Sequence, residues 1–216
     1  MPVATLSNTV GSQMLDNLLG ASPAVRRAQV NTARILYSIG ITANRATIAA
    51  VIIGVAAGVA FGFGQVGLGI ILLAMSAILD ALDGTIAREF AGTPTSFGGV
   101  MDLSFDRVVE AAVIIGIVWQ HRELDFYALL LVASWYVNIT VFLAVGAATE
   151  RTGPKLIEYP PGILERTEAL IFFAVLALVA STHYLIWMGP LLCLAMTALE
   201  IVTGAQRFLF GRYHLK

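Results

Sequence analysis

The chain has 216 residues, 58% of them hydrophobic and 12% charged, with a formal net charge of −1 and a mean hydropathy of +0.82. A soluble domain of this length cannot cover so much apolar surface, so an integral membrane protein is expected and a soluble globular fold is excluded. The near-neutral balance gives no basis for a nucleic-acid partner, and a single cysteine, Cys193, excludes an internal disulfide or a multi-cysteine metal site.

In chain order, residues 1–11 are small and polar, without the basic start of a cleavable signal peptide. Met14, Leu15, Leu18 and Leu19 suggest a short amphipathic turn. Ser22-Pro23 has the form of an N-cap followed by proline at the first helical position, opening a helix to Tyr37 that ends at Gly40. Val25, Ala28, Thr32, Ile35, Leu36 and Ile39 fall on one side of it, and Arg27, Asn31 and Arg34 on the other. That pattern fits a helix lying in the membrane interface or an amphipathic helix docked on the protein. Residues 1–43 are therefore read as an N-terminal cytoplasmic and interfacial segment, and 44–216 as the membrane domain.

Six membrane spans follow by hydropathy, near 45–63, 67–88, 98–119, 125–147, 166–184 and 187–206. The expected fold is all-α, six transmembrane helices plus the N-terminal helix. Gly54, Gly58 and Gly62 recur every fourth residue in the first span and predict a close helix contact inside the bundle or at a homodimer interface. Arg26, Arg27, Arg34, Arg45, Arg88, Arg107, Arg151, Lys155, Arg166, Arg207, Arg212 and Lys216 all fall on one side of these spans. Only Arg122, of the 13 basic residues, falls on the other. This asymmetry places both termini on the cytoplasmic side. Trp119, Trp135 and Trp187, with Tyr127 and Tyr184, are read mostly as an outer aromatic belt, and His183 as interfacial. Glu200 either supports a cavity or snorkels. Ser134, Tyr136, Asn138 and Thr140 give the fourth span a polar character.

The chemistry concentrates at Asp80, Asp83, Asp102 and Asp106, placed by the orientation at the cytoplasmic ends of spans two and three. Spacings of three and four residues put each pair on one helix face. A charged side chain at mid-bilayer costs about 2.5–3.5 kcal/mol, so four aspartates need a compensating role. Carboxylates without His or Cys partners suit hard cations, Mg²⁺ or Mn²⁺, and two such ions would form the clamp used in phosphoryl transfer. Gly84, inside the same helix, costs about 1 kcal/mol relative to alanine, which close approach of a ligand would justify. Arg88 offers a planar fork for phosphate oxygens. A purely structural salt-bridge network of Asp83, Arg88, Asp102, Arg107 and Glu110 is the competing account, but four aspartates against two arginines do not balance.

The run Asp80-x2-Asp83-Gly84-x2-Ala87-Arg88-x9-Gly98-x3-Asp102-x3-Asp106 closely resembles the signature of the CDP-alcohol phosphotransferase family of integral membrane enzymes. The spacer between Arg88 and Gly98 is longer than the family usually has, which bears on the Phe90–Pro94 loop rather than on the aspartates. Asn44-x2-Thr47 resembles a second family element, with Ala43 where proline is common. The resemblance implies that Asp80, Asp83, Asp102 and Asp106 bind two divalent ions and that Asp106 is also the general base. It implies that Asn44, Thr47, Gly84, Ala87, Arg88 and Thr95 surround a CDP-lipid. The implied reaction moves a phosphatidyl group from CDP-diacylglycerol to an alcohol acceptor and releases CMP. Arg151, Lys155 and Arg166 are candidate grips for a phosphorylated acceptor such as glycerol 3-phosphate, or else plain positive-inside anchors. The Lys-x-Arg pair of the bacterial inositol-phosphate branch is replaced here by Phe142-Leu-Ala-Val-Gly146, which argues against that acceptor. A cation-coupled transporter is the alternative from another class, although its acids would more naturally lie at mid-bilayer on broken helices.

Overall fold

The computed structural model describes residues 22–91, 95–150, 166–182 and 186–215. Among them there is no strand. The helices are α1 (Pro23–Ser38), α2 (Ala43–Gly62), α3 (Val66–Glu89), α4 (Ser96–Gln120), α5 (Asp125–Glu150), α6 (Arg166–Ser181) and α7 (Met188–His214), with a 3₁₀ turn at Arg122–Leu124 leading into α5. Four of these, α2, α3, α5 with its 3₁₀ turn, and α7, are long and apolar enough to cross a membrane, as an integral membrane protein requires. α4 has 25 residues, but it carries Asp102, Asp106, Arg107 and Glu110 along its length. α6 is apolar but has 16 residues.

α2 lies against α3 and α4, and α5 against α7, with α6 touching α4, α3 and α7. The main core gathers Phe61 of α2, Leu73 of α3, Val113 and Ile117 of α4, Leu131 of α5, Phe173 and Leu176 of α6 and Cys193 of α7. Outward positions such as Ile52, Ile71, Ile115 and Leu129 are exposed and apolar, the surface that a bilayer rather than water solvates. The glycine stripe of α2 is turned into the bundle. A Cβ at Gly58 would collide with the backbone of Ala112 on α4, and one at Gly116 with the carbonyl of Gly58. Without side chains there, the two backbones touch, as small residues permit between membrane helices. The α2–α3 turn passes through Gly64 at φ 72°, a left-handed conformation that glycine adopts without steric cost. The Gln120 amide donates to the Gly62 carbonyl at 3.2 Å and ties the far end of α4 to this turn.

α1 starts and stops close to where its sequence predicts, with Gly40 in the left-handed region at φ 86°. Ser22 occupies the N-cap position in an extended conformation but makes no side-chain capping bond, so proline at the first turn sets the start. The helix docks on α3 through a strip the apolar pattern did not single out. Ala33 is fully buried against Ala46, Leu82 and Ile86. Gln29 donates to the Ala81 carbonyl and the Thr85 hydroxyl, both at 2.9 Å, and Tyr37 stacks on Phe90. Val25, Ile35 and Ile39 remain exposed on the outer side. Trp119 and Trp187 are exposed, whereas Trp135 is half-buried and packs edge-on against Phe173, inside the bundle rather than in a belt. The Gln13–Gly20 turn, His183 and Tyr184 lie outside the described residues.

Candidate metal and nucleotide site

The site forms where the C-terminal end of α3 meets the N-terminal ends of α2 and α4. α3 carries Asp80 and Asp83 on successive turns of one face, and α4 brings Asp102 to them. One carboxylate oxygen from each of the three lies within 4.8 Å of the others. Asp83 is buried, Asp80 half-buried and Asp102 exposed, so the group runs from the helix packing out to the surface. Three carboxylates this close repel one another unless positive charge joins them, and an all-oxygen donor set fits Mg²⁺ or Mn²⁺. Asp106 stands one turn further along α4, 9% exposed and outside that group of three.

A cavity of about 460 Å³ opens beside the aspartates. Asn44 and Thr47 line it from α2, Asp83, Gly84, Ala87 and Arg88 from α3, and Thr95, Gly98 and Asp102 from the start of α4. All six residues expected around a nucleotide therefore meet at one opening. Thr42, Ala91 and Gly99 also line it and were not singled out in the sequence, where small residues at helix ends carry no periodic signal. The N-terminal turns of α2 and α4 both point here, and their unpaired backbone N–H groups and dipoles favour an anion such as a pyrophosphate. Thr95 caps α4 by accepting from the Gly98 N–H at 3.0 Å, so its hydroxyl oxygen fixes the helix start as well as the cavity rim. Thr47 donates to the Ala43 carbonyl at 3.0 Å. Gly84 leaves open the space that a Cβ would share with the Arg88 guanidinium, 3.0 Å away.

A second, smaller cavity of about 100 Å³ lies where α4, α5, α6 and α7 meet and is lined by several polar and charged side chains. Arg107 and Glu110 of α4 form an ion pair at 2.7 Å. Facing them, the Asn138 amide of α5 donates to the Glu200 carboxylate of α7, and Asn138 Oδ1 accepts from Arg207 Nη1 at 2.8 Å. Glu200 is thus a buried cavity residue. Ser134 and Asn138 turn inward while Tyr136 and Thr140 of the same span face out. Arg207, read in the sequence as an orienting charge, is part of this network. The partly apolar turn around it hid that role. Among the candidate acceptor cations, Arg166 opens α6, while Arg151 and Lys155 lie outside the described residues.

Helices long enough to span a bilayer, with three carboxylates converging at one end beside a cavity, are the arrangement a metal-dependent membrane transferase requires. Residues 40–205 match the family model described as CDP-alcohol phosphatidyltransferase. The chain is 32% identical over 157 residues to an archaetidylinositol phosphate synthase of Pyrococcus horikoshii, covering 72% of this chain and 79% of that one. It is 33% identical over 181 residues to a phosphatidylinositol phosphate synthase of Mycobacterium marinum, covering 81% and 75%. The crystal structure of Mycobacterium tuberculosis phosphatidylinositol phosphate synthase with CDP-DAG bound superposes with a TM-score of 0.64 at 26% identity, over 88% of this chain and 94% of that one. The same enzyme in complex with manganese and citrate gives a TM-score of 0.68 at 26% identity, over 86% and 88%. The chain belongs to the CDP-alcohol phosphatidyltransferase family and is a phospholipid-synthesising transferase; the transporter alternative gives way to that assignment.

Proposed function

We propose that the protein transfers a phosphatidyl group from CDP-diacylglycerol to the hydroxyl of an alcohol acceptor and releases CMP. The observation that carries this reading is the convergence of Asp80, Asp83 and Asp102 on one point beside a cavity lined by Asn44, Thr47, Gly84, Ala87, Arg88 and Thr95. The aspartates would hold two Mg²⁺ or Mn²⁺ ions, and such ions would supply positive charge against the donor's pyrophosphate. Arg88 and the helix N-termini of α2 and α4 orient the pyrophosphate, and the open surface at Gly84 and Ala87 admits the nucleotide. Asp106, one turn along α4 from Asp102, would be a further metal ligand and acts as the base. It takes the acceptor's hydroxyl proton while the acceptor oxygen bonds to the lipid-side phosphorus and the bridging P–O bond to CMP breaks. No covalent enzyme intermediate is required.

In this reading residues 44–216 form the membrane domain, α4 and α6 complete six spans, and the donor's acyl chains enter sideways between helices. Both termini and the site lie on the cytoplasmic side by the positive-inside asymmetry. By their place in the sequence, Arg151, Lys155 and Arg166 fall on that side, either gripping a phosphorylated acceptor or serving as positive-inside anchors. α1 lies in the interface with Val25, Ile35 and Ile39 toward the lipid, and a homodimer is compatible with this layout. The test is CMP release from labelled CDP-diacylglycerol by purified protein with Mg²⁺ or Mn²⁺, using an alcohol panel. Asp106→Asn should keep the wild-type melting behaviour and lose turnover by at least about 10²-fold, the scale of a general base. A fully active Asp106→Asn protein would remove the assignment of the base, and metal-independent activity that of the aspartates.

A further inference from the structure

The aspartate site joins two helices that packing does not hold together. Asp80 and Asp83 stand on α3 and Asp102 on α4. Among the described residues both helices lie closely on α2, whereas their approach to each other is slight. Mg²⁺ demands oxygen ligands at about 2.0–2.1 Å, so the end of α3 has to be placed to within a few tenths of an ångström for three carboxylates to share an ion. That placement falls to the helices packed on the other sides of α3, which are α2 and α1.

α1 grips α3 from behind the site. At about 100° per residue, Ala81 and Thr85 lie about 150° round the helix from Asp80 and Asp83. Gln29 uses both hydrogens of its amide nitrogen there. Its Nε2 donates to the Ala81 carbonyl and to Thr85 Oγ1, each at 2.9 Å. The Thr85 hydroxyl, 5% exposed, donates in turn to the same carbonyl at 3.0 Å and closes a triangle. Ala81 belongs to the helical turn that carries both aspartates. The apolar part of the contact, Ala33 against Leu82 and Ile86, has no preferred direction and tolerates small slides. Hydrogen bonds do not, because they weaken steeply with distance and angle. The Arg26–Glu89 pair, at 3.9 Å on the surface, adds little. Gln29 is therefore the directional contact between α1 and the aspartate-bearing turn.

We infer that Gln29 is a positioning residue for the metal site: through the Ala81 carbonyl and Thr85 it fixes the register of α1 on α3, and so sets where Asp80 and Asp83 meet Asp102. The inference rests on the transfer reading above and gives α1 a part in it.

The experiment measures Mn²⁺ affinity of the purified protein by electron paramagnetic resonance, beside CMP release from labelled CDP-diacylglycerol at varied Mn²⁺. Gln29→Met keeps the length of the side chain and loses the donor. Its Mn²⁺ affinity should fall about fivefold, the scale of one hydrogen bond. The Mn²⁺ concentration for half-maximal turnover should rise by the same factor, with kcat at saturating Mn²⁺ unchanged. Thr85→Val removes one of the two acceptors and should weaken Mn²⁺ binding, whereas Thr85→Ser should not. Gln29→Met should cost less in the Thr85→Val background than in the wild type. A contact that merely fastens α1 would lower the metal-free Tm and leave Mn²⁺ affinity unmoved, and that result overturns the proposal. If Gln29→Met does not fold, Thr85→Val against Thr85→Ser decides, and equal Mn²⁺ affinities overturn it. Wild-type protein that binds Mn²⁺ but releases no CMP would remove the transfer reading instead, and the titration would still decide the role of Gln29.

Discussion

Replacing Gly84 by alanine should make the protein more stable and less active, and each sign follows from a separate observation. Gly84 lies in the interior of α3, where glycine costs about 1 kcal/mol of helix stability relative to alanine. The atoms nearest to a new Cβ are Arg88 Nη1 at 3.0 Å, Nη2 at 3.3 Å and Cζ at 3.5 Å. These belong to the far end of a long side chain, which can yield a few tenths of an ångström at little cost. The ligand-free variant should therefore gain most of that 1 kcal/mol, a rise of about 2–4 °C in Tm for a chain of this size. The same methyl stands in the cavity lined by Asn44, Asp83 and Arg88, where it displaces both the guanidinium and any nucleotide seated there. Overpacking of that kind costs about 1–3 kcal/mol, which is about 5- to 150-fold in KM for the CDP-lipid. Thermal unfolding in detergent and CMP-release kinetics measure the two effects on one preparation. A variant that melts lower than wild type would refute the packing argument. Wild-type KM for the donor would refute the placement of the nucleotide.

The remaining predictions use the same logic at other positions. Gly116→Ala drives a methyl into the Gly58 carbonyl, a backbone atom that cannot turn aside; it should cost about 3 kcal/mol or more and lower Tm sharply, and an unchanged melt would mean that α2 and α4 are further apart than described here. Asp102→Asn removes one of three converging carboxylates, so Mn²⁺ titration followed by electron paramagnetic resonance should show at least about tenfold weaker binding, with a metal-free Tm no lower than wild type because one repelling charge is gone. Equal Mn²⁺ affinity in wild type and variant would exclude Asp102 from the metal site.

Much of the aspartate site could be read in the chain itself because its determinants are local. Asp80, Asp83, Gly84, Ala87 and Arg88 share a face of one helix by spacing alone, and Asp102 and Asp106 do the same on another. The helix period fixes such relations before any tertiary contact forms. Four membrane-length helices, α2, α3, α5 and α7, followed from apolar run length, since a backbone in lipid has to satisfy its own hydrogen bonds. What the sequence left open depended on which helix meets which. Whether the glycine stripe of α2 faces inward was decided by the close approach at Gly58 and Gly116. The docking strip of α1, Gln29 and Ala33, was decided by α3 rather than by hydrophobic pattern. The cavity of Arg107, Glu110, Asn138, Glu200 and Arg207 joins three helices up to about 100 positions apart in the chain. No periodicity links those positions, because pairing of buried charges between helices depends on packing and not on spacing along any one of them.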